Sequence, residues 1–253
     1  MMNGRFSEGF GTMNDLERQE EIIGDILTEL SNHNRRVPER LRAMATLKVM
    51  TRDGTFTLWD DHFKTVLLIL LETLGDSDPE IRSNALRLLK EICLCQACRF
   101  RDYAELTLLK LLEVHKDMER DVIRSAEECA AVLATHLPPH VGFRVLNPVI
   151  RNDNTPTLLA AIKMLTKVIE QLSSEEVIEV LPDVVPGIVK AYDNQDSSVR
   201  KASVLCLVAL HNQAGHDNMS SFVEGLSNSK IKLLNLYISK SGKGQSKAYK
   251  EAS

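Results

Sequence analysis

Apolar residues along this chain recur at steps of three and four, in stretches of 12 to 20 residues set apart by short polar turns. Ile81, Ala85, Leu88, Ile92 and Cys95 form one such stripe; Leu158, Ile162, Leu165, Ile169 and Leu172 form another, and Val199, Ser203, Cys206 and Leu210 a third. A stripe with this spacing lies on one face of a helix and needs a neighbour to cover it. Asn14-Asp15 caps the first helix, whose apolar side is Leu16, Ile22, Ile23, Ile26, Leu27 and Leu30. The alternation continues to about residue 238, where Ser229–Ile238, with Ile231, Leu234 and Ile238, closes the series.

The alternation has a period. Asp76-Ser-Asp-Pro-Glu-Ile-Arg82 and Asn194-Gln-Asp-Ser-Ser-Val-Arg200 lie 118 residues apart and read almost alike. Each has capping residues, then a β-branched residue and an arginine, then an apolar stripe. Leu41-Arg42, Ile81-Arg82, Ile123-Arg124, Leu158-Leu159 and Val199-Arg200 fall at equivalent points, with spacings of 40, 42, 35 and 41 residues. Units of ~40–47 residues are two-helix HEAT or three-helix armadillo repeats. Two helices fill most units here, so the spacing predicts an all-α HEAT-repeat solenoid of about five to six stacked helix pairs. No pair buries its stripe alone, and stacking into a quasi-one-dimensional array follows.

The first helices of the pairs are predicted at Leu58–Leu74, Phe100–Val114, about His140–Ile150, and Glu175–Tyr192. Pro79 and Pro156 fit the first turn of a helix, where the missing N–H costs nothing. Pro182 and Pro186 stand inside an apolar segment and predict a bend or split near residue 181. The glycine-rich residues 1–13 read as a flexible leader, 14–238 as the repeat domain, and 239–253 as a disordered basic tail.

Composition narrows the function. Apolar residues at 43% supply a core, and aromatics at 5% with no alternating β-branched runs argue against a β protein. A net charge of −4 gives no reason to expect nucleic acid as partner. The longest apolar run, Val66-Leu-Leu-Ile-Leu-Leu71, is far short of the ~18 residues of a membrane span, so no membrane insertion is expected. Five cysteines, an odd and sparse set, argue against a disulfide scaffold and fit a reducing cytosolic compartment.

Catalytic and cofactor chemistry find little support. Cys95-x-x-Cys98 lacks the second ligand pair of a zinc site, and Cys95 falls on the core register of its helix. His136 and His140 are separated by Pro138-Pro139, which breaks the i, i+4 geometry of a metal pair. Gly242-Lys-Gly-Gln-Ser246 lacks the spacing and preceding strand of a phosphate loop. No nucleophile elbow, dinucleotide fingerprint or placed carboxylate pair appears. The expectation is a non-enzyme without cofactor or metal.

The surface remains. The pair turns project from one edge of a solenoid and carry Arg35, Arg36, Arg82, His115, Lys116, Arg120, Arg124, Arg151, Arg200 and Lys201. Such a basic edge on an acidic protein suits an acidic or helical partner. An arginine after Val or Ile in a HEAT helix also serves as a rung to the neighbouring repeat's aspartate. Arg82 and Arg200 therefore lean toward structure, while Arg35, Arg36 and Lys201 are freer to bind. Trp59, the only tryptophan, serves equally well as an interface anchor or as a staple between repeats.

Several longer stretches carry a family resemblance. Leu58-Trp-Asp-Asp-His-Phe-Lys-Thr-Val-Leu-Leu-Ile-Leu-Leu-Glu-Thr-Leu-Gly-Asp76, Asn147-Pro-Val-Ile150, Lys163-Met-Leu-Thr-Lys-Val-Ile-Glu170 and Leu181-Pro-Asp-Val-Val-Pro-Gly-Ile-Val-Lys-Ala-Tyr192 are four of them. Asp193-Asn-Gln-Asp-Ser-Ser-Val-Arg-Lys-Ala-Ser-Val-Leu-Cys-Leu-Val-Ala209 and Lys232-Leu-Leu-Asn-Leu-Tyr-Ile238 complete the set. Over residues 15–238 the chain resembles the C-terminal TOG-like domain of the CLASP (CLIP-associating) family. The resemblance implies an adaptor module of a microtubule plus-end-tracking protein, without catalysis. The implied partners are CLIP-type plus-end proteins, cortical anchoring adaptors, a kinetochore kinesin and Golgi-associated factors. The implied location is cytoplasmic, on the cytoskeleton at microtubule plus ends, with kinetochore, cell cortex and Golgi pools. Tubulin-binding TOG domains carry a tryptophan in the first pair turn. Here that turn reads Ser31-Asn-His-Asn-Arg-Arg-Val-Pro38, which favours docking over direct αβ-tubulin binding; Arg200-Lys201 keeps the latter as the alternative.

Overall fold

The computed structural model describes residues 15–32, 36–152 and 155–241. Among them are twelve α-helices and one 3-10 helix, with no strand. They are α1 (Asp15–Leu30), α2 (Val37–Arg52), α3 (Trp59–Thr73), α4 (Pro79–Gln96), α5 (Ala104–Val114) and α6 (Arg120–His136). The second half holds α7 (Pro139–Asn152), α8 (Thr157–Ile169), α9 (Ser174–Ala191), α10 (Ser197–Ala214), α11 (His216–Val223) and α12 (Asn228–Lys240). The 3-10 segment, Ala97–Tyr103, lies between α4 and α5.

Odd-numbered and even-numbered helices form two layers. Each pair from α1/α2 to α9/α10 packs together, and α11 and α12 both settle on α10. The second-helix layer is continuous from α2 through α4, α6, α8 and α10 to α12. In the first-helix layer α1 meets α3, α5 meets α7, α7 meets α9 and α9 meets α11, but α3 and α5 lack a comparable contact. This is the HEAT solenoid that the period requires.

Side-chain caps open α4, α9 and α10. The Asp78 carboxylate accepts from the N–H groups of Glu80 and Ile81, with Pro79 just inside the helix. Asp196 accepts from Ser198 N–H at the start of α10. Ser173 and Glu176 form a reciprocal capping box on α9. Gly215, at φ 85°, ends α10 in a conformation that L side chains resist.

The buried register is Ile81, Val122, Leu158 and Val199. Two sequence alignments therefore shift. Val122 rather than Ile123 faces the core of α6, and in α2 the arginine four residues past the cap is Arg40, not Arg42. Cys95 also departs from expectation: Ile92 and Cys93 end the buried stripe, and Leu94 and Cys95 are exposed where α4 tightens into the 3-10 segment. Pro156 is the cap of α8 rather than its first turn.

The predicted split near residue 181 does not occur. α9 is continuous past Pro182 and Pro186. Both prolines lie on the exposed face, so the carbonyls they leave without donors are on the side of the helix that faces water, while Leu181, Val184, Val185 and Ile188 are buried. α12 runs to Lys240, past the expected end at Ile238. The 1–13 leader and the tail from 242 lie outside the described residues. No described helix is long and apolar enough to cross a membrane.

Trp59 opens α3 inside an aromatic cluster. Its ring meets Phe56 edge-on at 4.7 Å and Phe63 at 6.3 Å, and Phe63 continues to Phe100 at 5.1 Å and Tyr103 at 5.9 Å. The cluster ties the α2–α3 loop, α3 and the 3-10 segment together. At 3% exposure, Trp59 is packed as a staple among these rings.

Candidate functional site: the pair-turn edge

The turns within pairs align along one edge, and their polar groups mainly hold the repeats to one another. Arg82 donates through Nε to Asp117 Oδ2 at 2.7 Å and through Nη2 to Asp117 Oδ1 at 3.0 Å. Its Nη1 donates back to the carbonyls of Asp76 (2.7 Å) and Ser77 (3.2 Å) in its own turn. One repeat earlier, Arg40 Nη1 donates to Asp76 Oδ2 at 2.6 Å. The result is a ladder, Arg40 to Asp76 and Arg82 to Asp117, linking the first three pairs. The corresponding position in α6 is Ile123 and the ladder stops. Among the described residues, Arg200 clasps the carbonyls of its own turn, Asn194 and Gln195, and no carboxylate of a neighbouring repeat.

Burial alone would raise the Asp117 carboxyl pKa. The hydrogen bonds and charge of Arg82, with the backbone N–H of Glu119, outweigh it and hold the carboxyl below its usual range. Arg40 is 2% exposed, and its Nε and Nη2 have no hydrogen-bond partner among the described residues. Its role was not read from the sequence; counting four residues on from the cap before Pro38 would have placed it level with Arg82.

The expected edge cations divide accordingly. Arg35 lies outside the described residues. Arg82 is consumed by the ladder, Arg36 pairs with Glu29 at 3.2 Å, and Arg124 pairs with Glu128 at 3.4 Å within its own helix. Arg151 reaches Asp183 at 3.7 Å across α7 and α9. Lys201 is exposed and has no ion pair among the described residues. Asp76, Asp78, Asp117, Asp193 and Asp196 are interleaved with these cations as caps and acceptors, so the edge is of mixed sign rather than basic. Met118, at its centre, is 91% exposed.

Other charges stitch the second-helix layer. Arg52 pairs with Glu91 at 3.5 Å, Lys90 with Glu128 at 2.8 Å and Lys163 with Glu127 at 2.7 Å. Burial pushes the Cys93 and Cys206 thiols up to about 12, which makes them apolar filling rather than nucleophiles. Among the described residues no set of three or more His, Cys, Asp or Glu is placed to hold a metal ion.

His115 begins the third pair turn, buried, with its Nδ1–H donating to the Leu111 carbonyl at 2.9 Å. Burial lowers its pKa, and burial with the neighbouring His216 lowers that of His211. Both rings are held neutral, so the unfolded chain binds protons first as pH falls below ~6.5. The stability that they contribute is complete at neutral pH and is lost on acidification through the folded-state values. Thermal melts are expected to show a lower Tm at pH 5.5 than at pH 7.5, with a shallower slope in His115→Gln; equal slopes would remove His115 from this account.

The HEAT repeat family matches residues 66–96. CLIP-associating protein 1-B of Xenopus laevis is 51% identical over 218 residues, covering 86% of this chain and 15% of that protein. CLIP-associated protein of Arabidopsis thaliana is 32% identical over 181 residues, 72% of this chain and 12% of that protein. The chain thus spans a small part of the length of these relatives. Among solved structures, a chain from work on microtubule plus-end tracking by XMAP215, CLIP-170 and EB1 superposes with a TM-score of 0.76 at 16% identity, over 88% of this chain and 92% of that one. A chain from work on tubulin recruitment by microtubule polymerases with TOG domain arrays reaches 0.72 at 17% identity, over 87% and 46%. These likenesses establish the fold. With half of its aligned residues shared with the frog protein and a TOG-type HEAT solenoid beneath them, the chain belongs to the CLASP family of CLIP-associating proteins.

Proposed function

We propose that this chain is a non-catalytic docking module of a microtubule plus-end-tracking, microtubule-stabilising protein. It holds short helical or coiled-coil segments of CLIP-type plus-end proteins, cortical anchoring adaptors, a kinetochore kinesin and Golgi-associated factors. Its place is cytoplasmic, on the cytoskeleton at microtubule plus ends, with kinetochore, cortical and Golgi pools. The supporting observation is the character of the edge. The lone tryptophan is locked in the core and Arg82 is consumed by the ladder, which leaves Arg36, Arg200 and Lys201 exposed among mixed charges.

A CLIP-type fragment is expected to bind with a Kd of ~1–50 µM. Arg36→Glu with Lys201→Glu is expected to weaken it by about tenfold, through slower association and lost rim contacts. Calorimetry reads both; unchanged affinity removes the edge from the docking site. Direct αβ-tubulin binding is the second reading, favoured by the exposed Arg200-Lys201 pair. Co-elution with tubulin at micromolar concentration on gel filtration would establish it in place of docking.

A further inference from the structure

The break in the first-helix layer is a cleft of about 770 Å³ between α3 and α5. Phe63, packed on Phe100 and Tyr103, sets the 3-10 segment against α3 near its N-terminal end, and that segment also contacts α5. Toward the pair turns α3 and α5 lack the contact made by the other neighbouring first helices. Leu68, Leu71 and Leu74 form one wall, Leu106 and Val114 the other. The Arg82–Asp117 pair lies at the turn end.

Two features say what fits. Leu68 and Leu106 are each 40% exposed, and Leu109, one turn beyond Leu106, is 43% exposed, so leucines stand on both sides of a gap between two helices. Helices pack through interdigitating apolar ridges at 8–10 Å, and the surface that α3 and α5 would give each other is open to a third helix. The charge at the mouth is also uneven. Glu72, Asp76, Glu113 and Asp117 line the cleft with Arg82, Lys110 and Lys116. Asp76 is held by Arg40, Asp117 by Arg82 and Glu113 by Lys110 at 3.1 Å, whereas Lys116 is exposed and has no ion pair among the described residues. Arg120, beyond the exposed Met118, is in the same condition.

We propose that the α3–α5 cleft receives a short amphipathic helix of a partner protein. Its leucine-type side chains enter between Leu68 and Leu106, and an acidic residue in its first turn meets Lys116. This rests on the docking reading and assigns it a surface beside the pair-turn edge, with apolar burial as the main source of affinity and the carboxylate fixing direction.

The probe is a helical peptide of about 15 residues with leucines at i, i+3, i+4 and i+7 and a glutamate in its first turn. Fluorescence anisotropy is expected to give a Kd of ~10–100 µM, weakened at least about tenfold by Leu68→Asp with Leu106→Asp. Lys116→Glu is expected to weaken it about three- to tenfold, and a peptide with lysine in place of glutamate to recover the loss. Circular dichroism melts check that the variants stay folded, which the exposure of all three positions permits.

Equal binding of a scrambled peptide, or indifference to the cleft variants, would overturn the proposal. So would wild-type self-association abolished by the leucine substitutions, since the occupant would then be a second copy. The CLIP-type fragment separates the two levels. Binding of that fragment unaffected by the cleft variants sinks the cleft and spares the docking reading; peptide capture with no adaptor binding does the reverse.

Discussion

Arg82→Ala is expected to destabilise the fold by about 3–5 kcal/mol, the cost of removing one partner from a buried, hydrogen-bonded ion pair. The substitution deletes the fork to Asp117 and the two bonds to the Asp76 and Ser77 carbonyls. Asp117 is left mostly buried at 11% side-chain exposure, without the cation that holds its carboxyl ionised. Chemical denaturation measures the loss. The double variant Arg82→Met with Asp117→Leu is the informative partner. It removes both charges together and is expected to recover much of the stability. A loss under about 1 kcal/mol for the single variant would place Arg82 among ordinary surface ion pairs and reopen its role in recognition.

Trp59→Ala is expected to cost about 3–5 kcal/mol, in the range of large aromatic truncations in cores. The indole is 3% exposed and contacts Phe56 and Phe63, so a cavity forms at the junction of the loop, α3 and the 3-10 segment. Well below the variant's melting temperature, affinity for a CLIP-type fragment is expected to be unchanged, because the side chain reaches no surface. Wild-type stability with a large loss of affinity would make Trp59 an interface anchor.

The sequence carried the architecture because a HEAT array writes its fold in a short period. The stripes beginning at Leu158 and Val199 are buried throughout, and the capping residues of α4 and α10 do what their chemistry predicts. It carried the side-chain roles less well. Counting an apolar residue plus arginine selected Arg42 and Arg124, whereas position relative to the cap selects Arg40 and Ile123. A one- or two-residue shift rotates a helical side chain by 100–200° and exchanges rung for solvent. The same ambiguity hid the cleft. Val66 to Leu71 is apolar on every side, so nothing in it marks Leu68 as exposed while Val66, Leu67 and Leu70 are buried. Pro182 and Pro186 misled because their exposed placement lets α9 run on uninterrupted.

The gap between α3 and α5 also has a mechanical side. The second-helix layer is unbroken there, since α4 packs firmly on both α2 and α6, and the rungs from Arg40 and Arg82 span the turn edge. The first-helix layer is joined there through the 3-10 segment, which packs on Phe63 and on α5, and not by direct α3–α5 packing. In a quasi-one-dimensional stack curvature is set junction by junction, so this junction is expected to be softer than its neighbours, like a leaf spring clamped along one side. Flexing there would open or close the leucine-lined side while the clamped side holds its length, and a helix lodged between α3 and α5 would act as a shim that sets the bend of the array.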